Sequence, residues 1–176
     1  ILKQITEVYR KIRNTLRFFL GNLHGYDNAR DRVPYEKMNE LDRYAMTRLH
    51  RMIARVIEAY EAYDFHIVYQ AIHHFCAVEM SAFYLDIIKD RLYVSAPDDA
   101  ERKAAQTVLY DSLLAITKLI APILPHTADE VWKYIPGTGL ISVQLADMPK
   151  PDKSVFDPEL ERKWDRFIDI RDEVFR

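Results

Sequence analysis

Apolar residues recur every three or four positions along most of the chain, which is the spacing of a helix that buries one face. The pattern predicts a first helix over about the first 23 residues, a second from about Asn39 to Tyr63, and a long third from Phe65 to about Tyr93. A segment rich in glycine, asparagine and aspartate, HGYDNARDRVP, separates the first two helices. We expect Asp64 to cap the third helix.

Helix-start signals predict three further helices in the second half of the chain. The segment SAPDDAER places Ser95 as a cap before a fourth helix, which ends near Leu119. Thr127 followed by Glu130 has the spacing of a capping box, so we expect a short fifth helix there. A last amphipathic helix begins at Asp157, where a proline follows the capping residue.

Between the fifth and the last helix, apolar residues alternate with polar ones at Ile141, Val143 and Leu145. Alternation predicts a short strand or an extended strap near 141–145. One such segment does not make a sheet. We therefore predict an all-α fold, a bundle of amphipathic helices joined mostly by short connections.

The same patterns predict how the chain is organised. We expect a helical bundle over 1–135, an extended strap and linker over 136–156, and the start of a C-terminal helix over 157–176. Ile1 lies inside one periodic pattern and Arg176 inside another, without a start or stop signal. This favours a piece of a longer polypeptide.

Composition narrows the class of protein. The chain has 176 residues, of which 49% are hydrophobic and 30% charged, and these are values of a globular domain and not of a disordered segment. A single cysteine excludes an internal disulfide, and no apolar run is long enough to span a membrane. We expect a cytoplasmic protein that has no contact with a membrane.

Charge is distributed unevenly. The chain carries a formal net charge of −2, yet residues 1–25 hold five lysines and arginines against one glutamate. On a helical wheel, Arg10, Arg13 and Arg17 fall within a sector of about 60°, with Asn14 at its edge. The apolar stripe is centred roughly 120° away, so the basic face is separate from the face that packs into the core.

Two interpretations of this basic face are open. Acidic residues of the later helices, such as Asp165, Asp169 or Asp172, could pair with the arginines and leave an ordinary solvated surface. Alternatively, the face is shaped for a partner, either an acidic protein or the phosphates of a nucleic acid. Pairs within the first helix do not explain the excess charge, because the basic residues repel one another at helical spacing.

Aromatic residues favour RNA over duplex DNA among the nucleic acids. Tyr9, Tyr26 and Tyr93 offer rings for stacking, and unpaired bases expose both their faces and their edges. Asn14 can hydrogen-bond a base edge while the arginines hold phosphates.

Two other groups of residues give weaker indications of a function, and the first of them is basic. Arg48, Arg51 and Arg55 form a second basic row, which we interpret as a solvated face. The acidic residues that balance it lie at the end of the same helix: Glu58, Glu61 and Asp64.

His73, His74 and Cys76 have a spacing that could hold a metal ion, but only His73 and Cys76 share a helix face. We interpret this stretch as a packed helix with a buried cysteine. No arrangement of catalytic residues is visible in the chain, so we predict no catalytic and no metal residues.

The order and spacing of several segments resemble the helical anticodon-binding domain of bacterial-type isoleucyl-tRNA synthetases. These segments are VYRKIRNTLRFFLGNL, LDRYAMTRLHRMI, YLDIIKDRLYVSAPDDAERKAAQTVLYDSLLAITKLIAPILPHTADEVW and ISVQLADMP. The resemblance covers essentially the whole chain. The synthetases for valine, leucine and methionine share the bundle and remain alternatives, but RNTLRFFLGNL and YLDIIKDRLY are most similar to the isoleucine enzyme.

This resemblance implies a longer enzyme that attaches isoleucine to tRNA with ATP and Mg²⁺, with its catalytic domain before this chain and a zinc-bearing extension after it. This chain itself would hold no cofactor and would be inert in aminoacylation. Its implied partners are the anticodon arm of the isoleucine tRNA and the catalytic domain of the same polypeptide. Neither DNA nor a membrane is an implied partner.

The resemblance also implies which residues meet RNA. In this family the first helix of the bundle faces the tRNA, and the related methionine enzymes use an arginine at the position that matches Arg13. The expected contacts are therefore, first, Arg10, Arg13, Asn14 and Arg17, and second, Lys11, Asn22, Lys89 and Arg91.

Overall fold

The fold is all-α in the computed structural model, which describes the backbone of residues 2–174 and side chains of residues 5–174. The helices are α1 (Leu2–Asn22), α2 (Asn28–Asp31), α3 (Glu40–Glu61), α4 (Phe65–His74), α5 (Leu85–Tyr93), α6 (Ala100–Ile120), α7 (Pro125–Trp132) and α8 (Pro158–Val174). A π-helical segment, Phe75–Tyr84, joins α4 to α5 without a break. Single 3-10 turns are formed by Tyr35–Lys37, Val143–Leu145 and Lys153–Val155.

The core lies where α1, α3, the α4–α5 rod and α6 pack together. Each of these helices has apolar residues three or four positions apart, and the resulting stripes face one another. Leu16 and Phe19 of α1, Val56 of α3 and Leu113 of α6 are completely buried. Each such side chain stabilises the bundle by about 1.5–3 kcal/mol relative to an exposed one. This packing fixes the orientation of α1.

None of the helices that the structure describes combines the length and the apolar character needed to cross a lipid bilayer.

The third helix is continuous from Phe65 to Tyr93, as predicted, but its middle is π-helical. The Ser81 hydroxyl donates to the carbonyl of Cys76, five residues earlier, at 2.7 Å. Because a π turn holds more residues than an α turn, it changes which later positions face inward. Ile87, which the α-helical pattern places in the core, is 44% exposed.

The start of α6 differs from the prediction. Asp99, not Ser95, is the capping residue, and its carboxylate accepts a hydrogen bond from the backbone N–H of Arg102 at 2.9 Å. The carbonyl of Ser95 accepts from the Arg102 guanidinium at 2.7 Å. Both residues are therefore used, but only Asp99 lies directly before the first turn, where its side chain reaches the free N–H groups of the helix.

Two further predicted caps are wrong. Asp64 occupies the position before α4 but makes no capping bond with its side chain. The helix α7 begins at Pro125, which supplies a preset backbone angle, and not at Thr127. Thr127 instead hydrogen-bonds the hydroxyl of Tyr9 on α1, at 3.2 Å.

The segment near 141–145 is not a strand. Val143 is buried, whereas Ile141 and Leu145 are 85% and 64% exposed, and the backbone closes into a 3-10 turn capped by Ser142. The alternation of apolar and polar residues therefore indicates a strap with one inward side chain, that of Val143. No sheet forms here, because the described residues include no strand with which the segment could pair. The predicted start of α8 is confirmed, because the Asp157 carboxylate accepts from the backbone N–H of Leu160 at 2.9 Å.

Tyr63 has a positive φ of 59° at the end of α3, a conformation that usually selects glycine. Its ring is 79% exposed. An L side chain in this region costs about 1–2 kcal/mol. Replacing Tyr63 by glycine is therefore expected to raise the free energy of unfolding by up to about 1 kcal/mol, once the greater freedom of glycine in the unfolded chain is subtracted. Urea denaturation followed by circular dichroism measures this.

The matched control is Ala62→Gly, one position earlier, where φ is −85°. At that position glycine only adds conformational freedom to the unfolded chain, so we expect the free energy of unfolding to fall by about 0.5–1 kcal/mol. A Tyr63→Gly variant that loses as much stability as the control would contradict the strain argument.

Candidate nucleic-acid interface

One face of α1 packs into the bundle and the other is open to solvent. Ile12, Leu16 and Phe19 point into the core. The exposed side chains of the opposite face are Arg10, Lys11, Arg13, Asn14 and Arg17. The separation of basic face and core face that the helical wheel predicts is therefore confirmed.

Most of this basic face has no internal partner. Arg10 forms an ion pair with Glu7 at 3.3 Å, and both side chains are more than half exposed. Within residues 5–174, the side chains of Lys11, Arg13, Asn14 and Arg17 make neither an ion pair nor a hydrogen bond. The face thus presents an excess of positive charge to solvent.

The alternative in which α8 neutralises the face is wrong. The described residues of α8 pack mainly on α3. Asp165 accepts a hydrogen bond from the Tyr44 hydroxyl at 3.0 Å, and Asp172 pairs with Arg171 at 2.9 Å. In the described part of the chain, neither these residues nor Asp169 pairs with an arginine of α1.

The exposed ridge of α1 separates two grooves. The groove toward α5 has a volume of about 440 Å³ and the groove toward α7 about 150 Å³. We name them the α1–α5 groove and the α1–α7 groove. The first is lined by, among others, Lys11, Asn14, Lys89 and Tyr93, and the second by, among others, Arg13, Arg17, Glu130 and Tyr134.

Each groove contains an exposed tyrosine. Tyr93 is 66% exposed and Tyr134 is 68% exposed. Of the other tyrosines proposed for stacking, Tyr26 is buried and bonds the Thr107 hydroxyl at 3.1 Å, so this prediction is wrong. Tyr9 is half-buried. Sequence reasoning missed Tyr134, although its position just after the short amphipathic α7 could have placed it on the surface.

The residues of the second group of expected RNA contacts differ in whether their side chains are free to meet a ligand. Lys89 lies in the α1–α5 groove, where its ammonium is 3.1 Å from the carboxylate of Asp86. The side-chain amide of Asn22 is half-buried and donates to the carbonyl of Phe18 at 2.9 Å. Lys89 is therefore open to a ligand, whereas Asn22 is held by its own helix.

Arg91 is turned into the bundle and is only 19% exposed. Its guanidinium lies 3.1 Å from the carboxylate of buried Asp42 and 3.6 Å from Glu101. These two carboxylates neutralise its charge, so Arg91 is not one of the free cations of the surface.

Two arginines of the second basic row also form ion pairs within the bundle. Arg51 pairs with Glu161 of α8 at 2.8 Å and lies over the ring of Phe156 at 4.1 Å. Arg48 pairs with Glu161 at 3.6 Å and also with Glu79. A solvated face balanced by acids of its own helix is therefore the wrong interpretation for these two residues, whose partners come from other elements. Arg55 is exposed.

Cys76 is fully buried in the π-helical segment, as the sequence interpretation expects. Burial raises the pKa of its thiol to about 12, because the charged thiolate would lose its hydration. The ring of His73 stacks on that of Tyr69, with centroids 6.4 Å apart. Cys76 is thus an uncharged packing residue.

Comparison with known proteins points to one family. Residues 42–176 match the family model described as the anticodon-binding domain of tRNA ligase. The whole chain is also similar to isoleucine–tRNA ligases, with 58% identity to that of Brevibacillus brevis, 55% to that of Desulforamulus reducens and 54% to that of Halalkalibacterium halodurans. The chain spans 19% of the length of each of these relatives.

Proposed function

Since the chain belongs to the family of tRNA ligase anticodon-binding domains, we propose that it binds the anticodon arm of the isoleucine tRNA through the basic face of α1. The observation that carries this proposal is the group of unpartnered cations on a helix whose other face is locked into the core. A rigid helix presents its charges at fixed spacing, which suits the regular spacing of phosphates.

The chemistry of each side chain suits it to a different part of the RNA. Arg13 and Arg17 carry forked guanidinium groups that pair with phosphate oxygens in a bidentate manner. Asn14 has both a donor and an acceptor and can read the edge of an unpaired base. Tyr93, at the far side of the α1–α5 groove, offers its ring for stacking a base of the anticodon loop. Lys11 and Lys89 add positive charge along the same groove.

We further propose that this domain serves a longer enzyme that joins isoleucine to its tRNA at the expense of ATP, in the cytoplasm. The similarity to isoleucine–tRNA ligases supports isoleucine over valine, leucine or methionine. In that enzyme the chemistry belongs to another part of the polypeptide. The contribution of this chain is to hold the anticodon arm, and so to favour the correct tRNA.

Binding through phosphates makes a quantitative prediction about salt. If the face of α1 neutralises about four phosphates, log K for tRNA should fall with log salt with a slope of about −3, because each neutralised phosphate of a single strand releases about 0.7 of a counterion. Fluorescence anisotropy with labelled isoleucine tRNA between about 25 and 200 mM KCl, roughly an eightfold range, measures the slope. An affinity independent of salt would refute phosphate binding by α1.

A further inference from the structure

We propose that the α1–α7 groove is a pocket for one unpaired nucleobase that carries an amino group, with the carboxylate of Glu130 as the acceptor. This inference rests on the proposed function and adds a specific base contact to it. It concerns a different groove from the one in which Asn14 and Tyr93 lie.

The shape of the groove suits a single flat ring. Its apolar part is formed by Leu20 and Val131, which are half-buried and pack against the core. Tyr134 presents an exposed ring beside them. The hydrogen bond between the hydroxyls of Tyr9 and Thr127, at 3.2 Å, ties α1 to α7 across the groove. An unpaired base can lie on an apolar and aromatic surface of this kind, whereas a stacked duplex exposes no base face to it.

The charges of the groove are arranged for both parts of a nucleotide. Arg13 and Arg17 lie on α1, and Glu130 lies on α7. Within residues 5–174, none of these three side chains has an ion pair or a hydrogen bond. The guanidinium groups can therefore hold a phosphate while the carboxylate meets the base.

Glu130 is the unusual member of this set, because a carboxylate beside phosphate-binding arginines opposes the binding of any polyanion. Its neighbour Asp129 is occupied, since it accepts from the Ser142 hydroxyl at 2.6 Å and lies 3.7 Å from Lys133. An ionised carboxylate only accepts hydrogen bonds, and cytosine offers it an amino donor. Uracil offers carbonyl oxygens in the corresponding position, which a carboxylate repels. Glu130 thus favours bases with an amino group.

Two short RNAs of equal charge test this contact: hexacytidylate and hexauridylate, bound to the 176-residue chain at pH 7.5 and low salt. We expect Glu130→Gln to lower the ratio of the affinity for hexacytidylate to that for hexauridylate by about tenfold, the effect of one hydrogen bond to a charged group. Removal of a negative charge strengthens the binding of both RNAs alike, so the ratio, and not either affinity, is the readout.

The matched control is Glu58→Gln, which neutralises an exposed glutamate near the C-terminal end of α3 that does not line the groove, and it should leave the ratio unchanged. An unchanged ratio in Glu130→Gln, or an equal fall in the control, would overturn the inference.

A variant with both Arg13 and Arg17 replaced by alanine separates this inference from the proposed function. If the double arginine variant loses its affinity for both hexamers while Glu130→Gln leaves the ratio unchanged, only the base contact is excluded. If the double arginine variant keeps its affinity for the hexamers, the proposed function itself is rejected.

Tyr134 provides a second, independent readout. Its replacement by alanine should weaken the binding of both hexamers by about fivefold or more, because stacking of a base on an aromatic ring is lost. Tyr134→Phe keeps the ring and should restore the affinity. Equal binding by Tyr134→Ala and the unaltered chain would place the base outside the groove.

Discussion

Replacement of both Arg13 and Arg17 by alanine should weaken tRNA binding by about 100-fold or more, since each guanidinium–phosphate contact contributes about 1.5–3 kcal/mol. Neither side chain has a partner within the described part of the bundle, so their removal leaves no carboxylate unpaired. The circular dichroism spectrum and the free energy of unfolding should therefore stay unchanged. The slope of log K against log salt should also become less steep, from about −3 to about −1.5, because two phosphates fewer are neutralised.

The matched control replaces Arg55 on α3 and Arg166 on α8, two other exposed arginines, by alanine. It removes the same net charge, so a general attraction between protein and RNA would weaken equally in both variants. If the control loses as much affinity as the α1 variant, the specific role of α1 is refuted. Arg10→Ala alone should have a smaller effect than Arg13→Ala, because Glu7 already lies 3.3 Å from its guanidinium.

The basic face could be predicted from the sequence because it depends on the geometry of one helix. Helical periodicity alone determines that Arg13 and Arg17 share a side, and that Leu16 lies on another. The ends of α1 and α3 follow from the same periodicity and agree with the structure within one or two residues. Information of this kind is local, so it is present in a short stretch of sequence.

The predictions that were wrong concern contacts between distant parts of the chain. Tyr26 is among the rings that the sequence offers for stacking, but its hydroxyl hydrogen-bonds Thr107, 81 positions away. Arg51 pairs with Glu161, 110 positions away, and not with the acids of its own helix. Periodicity shows that a side chain leaves its helix on a given face, but the residue that it meets there depends on how the helices pack. The α1–α7 groove was missed for the same reason.

Arg91 gives the clearest case of such a distant contact, and its loss should have the largest effect on stability. Asp42 is completely inaccessible to solvent, 49 positions earlier in the chain. Its carboxylate accepts from the Tyr84 hydroxyl at 2.7 Å and from Arg91 at 3.1 Å. Because removal of one partner leaves a buried charge uncompensated, Arg91→Met is expected to lower the free energy of unfolding by about 3–5 kcal/mol at pH 7. That is a large part of the stability of a typical domain.

The pH dependence of this loss identifies its cause. Burial raises the pKa of Asp42 above its ordinary value, since the loss of hydration outweighs the contacts with Tyr84 and Arg91. Without Arg91 the pKa rises further, so the carboxyl group of the folded variant takes up a proton as the pH falls. The difference in unfolding free energy between Arg91→Met and the unaltered chain should therefore be largest at pH 7 and shrink toward about pH 4.

Urea denaturation at both pH values measures the difference, with Lys89→Met, an exposed neighbour on α5, as the control. The double variant Asp42→Asn, Arg91→Met should recover part of the stability at pH 7, because it removes the buried charge as well as its partner. At low temperature, where Arg91→Met remains folded, its affinity for tRNA should stay within about twofold of the unaltered chain, as the guanidinium is turned away from the RNA-binding face. A variant that keeps its stability but loses tRNA affinity would instead place Arg91 in the interface, and would show that RNA can draw the guanidinium away from Asp42.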